Sequence, residues 1–153
     1  MYLYLGALLL ILFFAQDFFY IKWPWLVKQQ LDLMYKQWSG LVLMIYVIAQ
    51  WYLSMLRVLG QGRIAKYNYE IHKQLGVLAP LFFYAHSAKL GYAYLFWLSS
   101  VYFANVVVGL LNQEVMPARK KWFSYYWMIL HVTLAVLITI LMVYHVFISF
   151  YYQ

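Results

Sequence analysis

HKQLGVLAPLFFYAH, residues 72–86, and HVTLAVLITILMVYH, residues 131–145, are the stretches on which the reading of this chain turns. Each begins and ends on histidine, and together they hold all 4 histidines of the protein. His72 and His86 are 14 positions apart, and so are His131 and His145. On an α-helix that separation turns through roughly 1400°, about 40° short of a whole number of turns, and rises about 21 Å. Each pair is therefore expected on nearly one side of its own helix, at two depths. Two such helices side by side would offer two facing histidine pairs.

The composition around these stretches belongs in a bilayer. The chain of 153 residues is 67% hydrophobic and 10% charged, against about 25% charged in an ordinary soluble domain. There is no cysteine, which excludes disulfides, thiolate metal sites, Fe–S ligation and covalent C-x-x-C-H haem attachment. The net charge of +7 would suggest nucleic acid in a soluble protein. In so apolar a chain it reads instead as basic loops beside a membrane, with no nucleic-acid partner.

Charge spacing divides the chain into five expected spans, at residues 1–21, 38–57, 67–89, 92–112 and 122–150. The first lacks the basic start of a signal peptide, since no Lys or Arg precedes Lys22. Residues 22–36, with Trp23-Pro24-Trp25, read as a loop or an interfacial helix. Residues 37–56 are 20 uncharged positions, and residues 90–113 are 24. Basic loops fall at 57–66 and 114–121, and a tight turn is expected around Gly91. Pro80 is expected to kink the third span and free a carbonyl. The fold class is thus an all-α membrane protein of five transmembrane helices, with helices two to five bundled around two haems. With five spans, Arg57, Arg63, Lys66, Arg119, Lys120 and Lys121 share a side with the N-terminus. Lys22, Lys28, Lys36 and Lys89 lie opposite. The excess places the N-terminus in the cytoplasm and the C-terminus outside it, in a bacterial inner membrane. Spans three and five then run parallel, so His72 pairs with His131 near the inner surface and His86 with His145 near the outer.

Three chemistries compete for the histidines. Each could be a polar residue hydrogen-bonded within a helix bundle, although intramembrane polar groups are costly and usually mark function. A bare zinc or copper ion would need ligands converging within about 2 Å of one point, which histidines 14 apart on one helix cannot do. Haem needs one imidazole above and one below a flat ring, with small residues where its face meets backbone. The two stripes read His72, Gly76, Ala79, Phe83, His86 and His131, Ala135, Ile138, Met142, His145. Gly76, Ala79 and Ala135 would leave room beside the inner histidines, or simply allow close helix packing.

The chain resembles the ferric-reductase-like transmembrane family, which includes ferric reductases, NADPH oxidases and the haem membrane subunit of periplasmic methionine sulfoxide reductase systems. The resemblance lies in His72-Lys73 opening a span, the spacing to His86 followed by Ser87, a basic loop, and a Trp127…His131 span ending its own repeat at His145. It covers about residues 38–151. It implies bis-histidine haem ligation from the third and fifth helices. The cytochrome b of quinol-oxidising bc complexes has similar spacings on other helices. The family usually has a sixth helix, and many members continue into a flavin and nicotinamide domain. This sequence carries no Gly-rich dinucleotide fingerprint.

The expected function is electron transfer across the bilayer through two b haems, between a quinol or cytosolic flavoprotein and a partner redox subunit. Nothing here points to a complete enzyme. Arg57, Arg63, Lys73 and Arg119 are candidates to meet haem propionates, or plain positive-inside anchors. A Tyr-lined quinone pocket stays open. So do two rivals: a non-catalytic membrane anchor with structural haem, and a His-lined metal or proton pathway.

Overall fold

The computed structural model describes residues 2–111 and 121–151, without the side chain of Lys121. Every regular element among them is helical: α1 Tyr2–Phe18, α2 Pro24–Leu31, α3 Leu33–Val58, α4 Gly62–Val77, α5 Ala79–His86, α6 Tyr94–Leu110 and α7 Lys121–Tyr151. They divide into two compact units, Met1–Lys89 with α1 to α5 and Leu90–Gln153 with α6 and α7. The basic loop expected at 114–121 lies outside the described residues, apart from the backbone of Lys121.

The five-span reading is overturned. Among the described residues two helices are long and apolar enough to cross a membrane, Leu33–Val58 and Trp122–Tyr151, of 26 and 30 residues. Both expose apolar side chains along their length, including Ile45, Ile48, Ile140, Val143 and Phe147. The core helix of a soluble protein would bury them. The first and fourth expected spans became 17-residue helices, roughly 25 Å long against about 30 Å of hydrocarbon. The third expected span is two helices. Pro80 has no N–H and its ring clashes with the carbonyl four residues back. The ladder stops at Leu78, whose N–H bonds Leu75 O at 2.9 Å, and α5 restarts with Pro80 in its first turn. α4 is only 16 residues long and carries Arg63, Lys66, Glu70 and Lys73. A bundle of helices two to five around two haems is therefore not the architecture. The side-by-side charge count loses its premise with the five spans, and the topology built on it goes too. What stands is an all-α protein with one or two candidate membrane-spanning helices, consistent with membrane association.

Local signals explain the element ends. Asp32 caps α3 by accepting from Tyr35 N–H at 2.9 Å. Gly60, at φ +70, closes it. Gln61 N–H bonds Leu56 O and Gly60 N–H bonds Arg57 O, a Schellman termination. In the second unit, Ala93 at φ 52, ψ −129 precedes α6, and Leu95 N–H returns to Tyr92 O at 3.2 Å. That is a II′-type turn with alanine where glycine belongs. The turn expected near Gly91 is there: Gly91 sits at φ +79, and a Cβ on it would meet Leu95 Cβ at 2.7 Å.

In the first unit, Leu53 and Leu56 of α3 pack on Ala65 of α4, with Tyr69 against them. Tyr46 of α3 spans the α4–α5 break: its hydroxyl donates to Leu75 O at 3.0 Å and its ring stacks on Phe82 at 4.5 Å. From α1, Phe13 meets Phe83 edge-on at 5.4 Å.

Candidate histidine sites

Each unit carries one histidine pair. His72 lies on α4 and His86 is the last residue of α5, so the 40° relation expected on one helix does not carry across the break at Leu78. His131 and His145 lie on the unbroken α7, where the spacing argument holds.

α5 is 8 residues long, and its C-terminal carbonyls have no intrahelical partner. Side chains of α2 and α3 supply two of them, and one from α1 holds the chain just past the helix end. Gln30 Nε2 donates to Tyr84 O at 2.7 Å, Tyr35 Oη to Ala85 O at 2.9 Å, and Gln16 Nε2 to Ala88 O at 2.7 Å. Gln30 Oε1 also accepts from Ala88 N–H at 3.3 Å. The backbone bearing His86 is thereby fixed to α1, α2 and α3. Its imidazole lies on α3: Nδ1 is 3.1 Å from Ser39 Oγ, and a Cβ on Gly40 would meet Cε1 at 3.1 Å. A glycine at 40 is what lets the ring approach the helix so closely.

A similar seat occurs in the second unit. A Cβ on Gly109 of α6 would meet His131 Cε1 at 3.2 Å. Trp127, one turn before His131, stacks on the imidazole with centroids 5.6 Å apart and planes 8° from parallel. Its indole N–H donates to Val108 O at 2.8 Å. Val108, Gly109, Trp127 and His131 thus form one closed set of contacts between α6 and α7. Further along, Tyr94 Oη lies 3.4 Å from His145 Nδ1. The pairs Gly109/His131 and Tyr94/His145 are 15 residues apart on α6 and 14 on α7, the even register of an antiparallel helical hairpin. The Nδ1 atoms of His72 and His131 are screened from solvent.

The other candidate residues fare differently. A Cβ at Gly76 would meet nothing within 4 Å, so the space there is open. Arg57 and Arg63 are exposed near the α3–α4 turn. Arg63 is nine positions from His72, roughly 13.5 Å along α4 and about half a turn round it. Lys73 pairs with Glu70 at 2.9 Å and lies over the rings of Tyr69 and Tyr2, 4.7 and 5.8 Å from their centroids. Arg119 is outside the described residues. Ser39, Gly40, Tyr94 and Gly109 were missed because they contact the histidines across helices. Trp127 stands one turn before His131, a spacing that by itself brings the two rings together.

Among the described residues no group of three or more His, Asp or Glu could hold a metal ion. Ligation of a haem iron would ask for only two imidazoles per metal. The donor chemistry fits that use. A hydroxyl beside Nδ1, as at His86 and His145, is the kind of partner that orients a ligating imidazole. Comparison with family models, with curated proteins and with solved structures finds no match, so the likeness to ferric-reductase-like proteins rests on the quoted residues alone.

Proposed function

We propose that this chain is a membrane cytochrome subunit that carries electrons through two b haems, with His72, His86, His131 and His145 as the axial ligands. The observation that carries the reading is the grouping of all four histidines in two pairs, one in each unit, with the 14-position helical relation kept on α7 between His131 and His145. Support comes from the seats of the rings. His86 and His131 each lie on a glycine of a neighbouring helix, and His86 and His145 each have a hydroxyl beside Nδ1. Bound haem would supply one-electron redox chemistry; the chain's part is to hold, orient and tune it. The four imidazoles would hold the two groups, and the bound haems would pass single electrons between a quinol or flavoprotein donor and a partner redox protein. Arg57 and Arg63 are kept as anchors at the membrane surface.

The test is a pyridine haemochrome assay on the purified full chain. Two haems per chain, extractable by acid acetone, are expected. Each single His→Ala variant should lose one of them, and the variants that remove the same redox component define the pairing. No haem in the wild-type protein would end the reading and favour a plain anchor.

A further inference from the structure

We propose that Ser39 and Gly40 are positioning residues that hold His86 as the Nδ1–H tautomer, with its lone pair on Nε2 for a metal. The proposal rests on His86 being an axial ligand, and its argument is local to the first unit. A serine hydroxyl has one proton to give and lone pairs to accept with. Ser39 Oγ has two neighbours: Lys36 O at 3.3 Å and His86 Nδ1 at 3.1 Å. A carbonyl oxygen only accepts, so the bond to Lys36 O uses the hydroxyl proton. The contact with His86 then requires the imidazole to donate from Nδ1. A neutral imidazole that donates from Nδ1 has an acceptor, metal-binding Nε2. The chain Lys36 C=O, Ser39 O–H, His86 Nδ1–H therefore selects one of two tautomers.

The ring has little freedom to leave this arrangement. Gly40 sets its distance from α3, with the place of a Cβ 3.1 Å from Cε1, 3.6 Å from Nδ1 and 3.9 Å from Nε2. Gln30 and Tyr35 hold the carbonyls of Tyr84 and Ala85, just before His86. The backbone is held by side chains of α2 and α3, and the ring by α3. For haem this means an imidazole already turned and already in the ligating tautomer before the cofactor arrives, the usual effect of an outer hydrogen-bond partner on a metal-bound histidine.

The experiment uses the full chain in detergent micelles, labelled with 15N-histidine. In the haem-free protein, His86, assigned by its loss in His86→Ala, should show a protonated Nδ1 and an unprotonated Nε2. Ser39→Ala should shift it toward the Nε2–H form, and Ser39→Thr should restore the wild-type pattern. Gly40→Ala, which crowds the ring off the hydroxyl, should act like Ser39→Ala. With haemin added, Ser39→Ala should weaken retention of one haem about tenfold or more and alter one low-spin EPR signal only. Two failures are distinguishable. An Nε2–H tautomer in the wild-type protein overturns the positioning role, whatever haem does. An Nδ1–H tautomer without haem uptake upholds the hydrogen-bond assignment and removes the cytochrome reading.

Discussion

Gly109→Ala tests the packing of the second unit without any cofactor. The added methyl would lie 3.2 Å from His131 Cε1, 3.8 Å from Nδ1 and 3.9 Å from Nε2. Comfortable carbon–carbon contact begins near 3.5 Å, so the imidazole must retreat by about 0.3 Å or the helices must part. Retreat is blocked on one face, because Trp127 stacks there at 5.6 Å and is itself tied to Val108 O at 2.8 Å. Overpacking of this kind costs about 1–3 kcal/mol. Alanine also returns up to about 1 kcal/mol of helix propensity, so the net loss is about 0–3 kcal/mol. Gly76→Ala isolates the propensity term, since a Cβ there meets nothing within 4 Å. It should stabilise by about 0.5–1 kcal/mol. The two variants should therefore differ by about 1–3 kcal/mol, the overpacking cost alone. Denaturant unfolding of the full chain in micelles, followed by tryptophan fluorescence, measures the difference. Equal stabilities would refute the seat of His131 on Gly109.

Other perturbations follow from the same contacts. Ala93→Gly should stabilise by about 1 kcal/mol by relieving the left-handed backbone before α6, read as a higher melting temperature. Tyr46→Phe keeps the stack on Phe82 but leaves Leu75 O without that donor. It should cost about 1 kcal/mol and speed amide exchange around the α4–α5 break. Trp127→Phe keeps an aromatic ring against His131 and loses the N–H to Val108 O. A loss of about 0.5–1.5 kcal/mol is expected, and an unchanged midpoint would mean the indole bond does not tie α6 to α7.

The long helices were legible because hydropathy and charge spacing act over whole turns. The uncharged run at 37–56 became part of α3, and the charge-free stretch after Lys121 became α7. Residues 22–36, read as a loop or an interfacial helix, contain α2 and the start of α3. The error lay in taking a hydrophobic run as a span. Pro80 was visible, but a single kink was expected where the ladder stops and restarts, which leaves helices of 16 and 8 residues. Length is what hydropathy alone overstates. Residues 1–21 and 92–112 lost their ends to the turns at Tyr20 and Ala93, both at positive φ. Neither residue is a glycine, so neither signalled a helix boundary.

The histidines divide along the same line between what one helix shows and what two helices make. Their spacing was readable because it is a property of one segment. Their surroundings were not, because each depends on a neighbouring helix: Ser39 and Gly40 precede His86 by 47 and 46 positions, and Gly109 precedes His131 by 22. Same-helix reasoning chose Gly76, four positions after His72, and found open space there. The glycines that do meet imidazoles lie on the partner helix, where a missing Cβ lets a ring reach backbone distance. Two units with dissimilar sequence around the histidines use this device, at Gly40 and at Gly109. A polar ring packed against an apolar helix needs a defined seat, since an ill-satisfied imidazole is costly in an apolar setting. Glycine opposite the ring supplies the room, and an adjacent hydroxyl or indole fixes its plane. That requirement holds whether or not iron binds, so glycine substitution probes the seats and tautomer spectroscopy probes the ligand, and each can fail without the other.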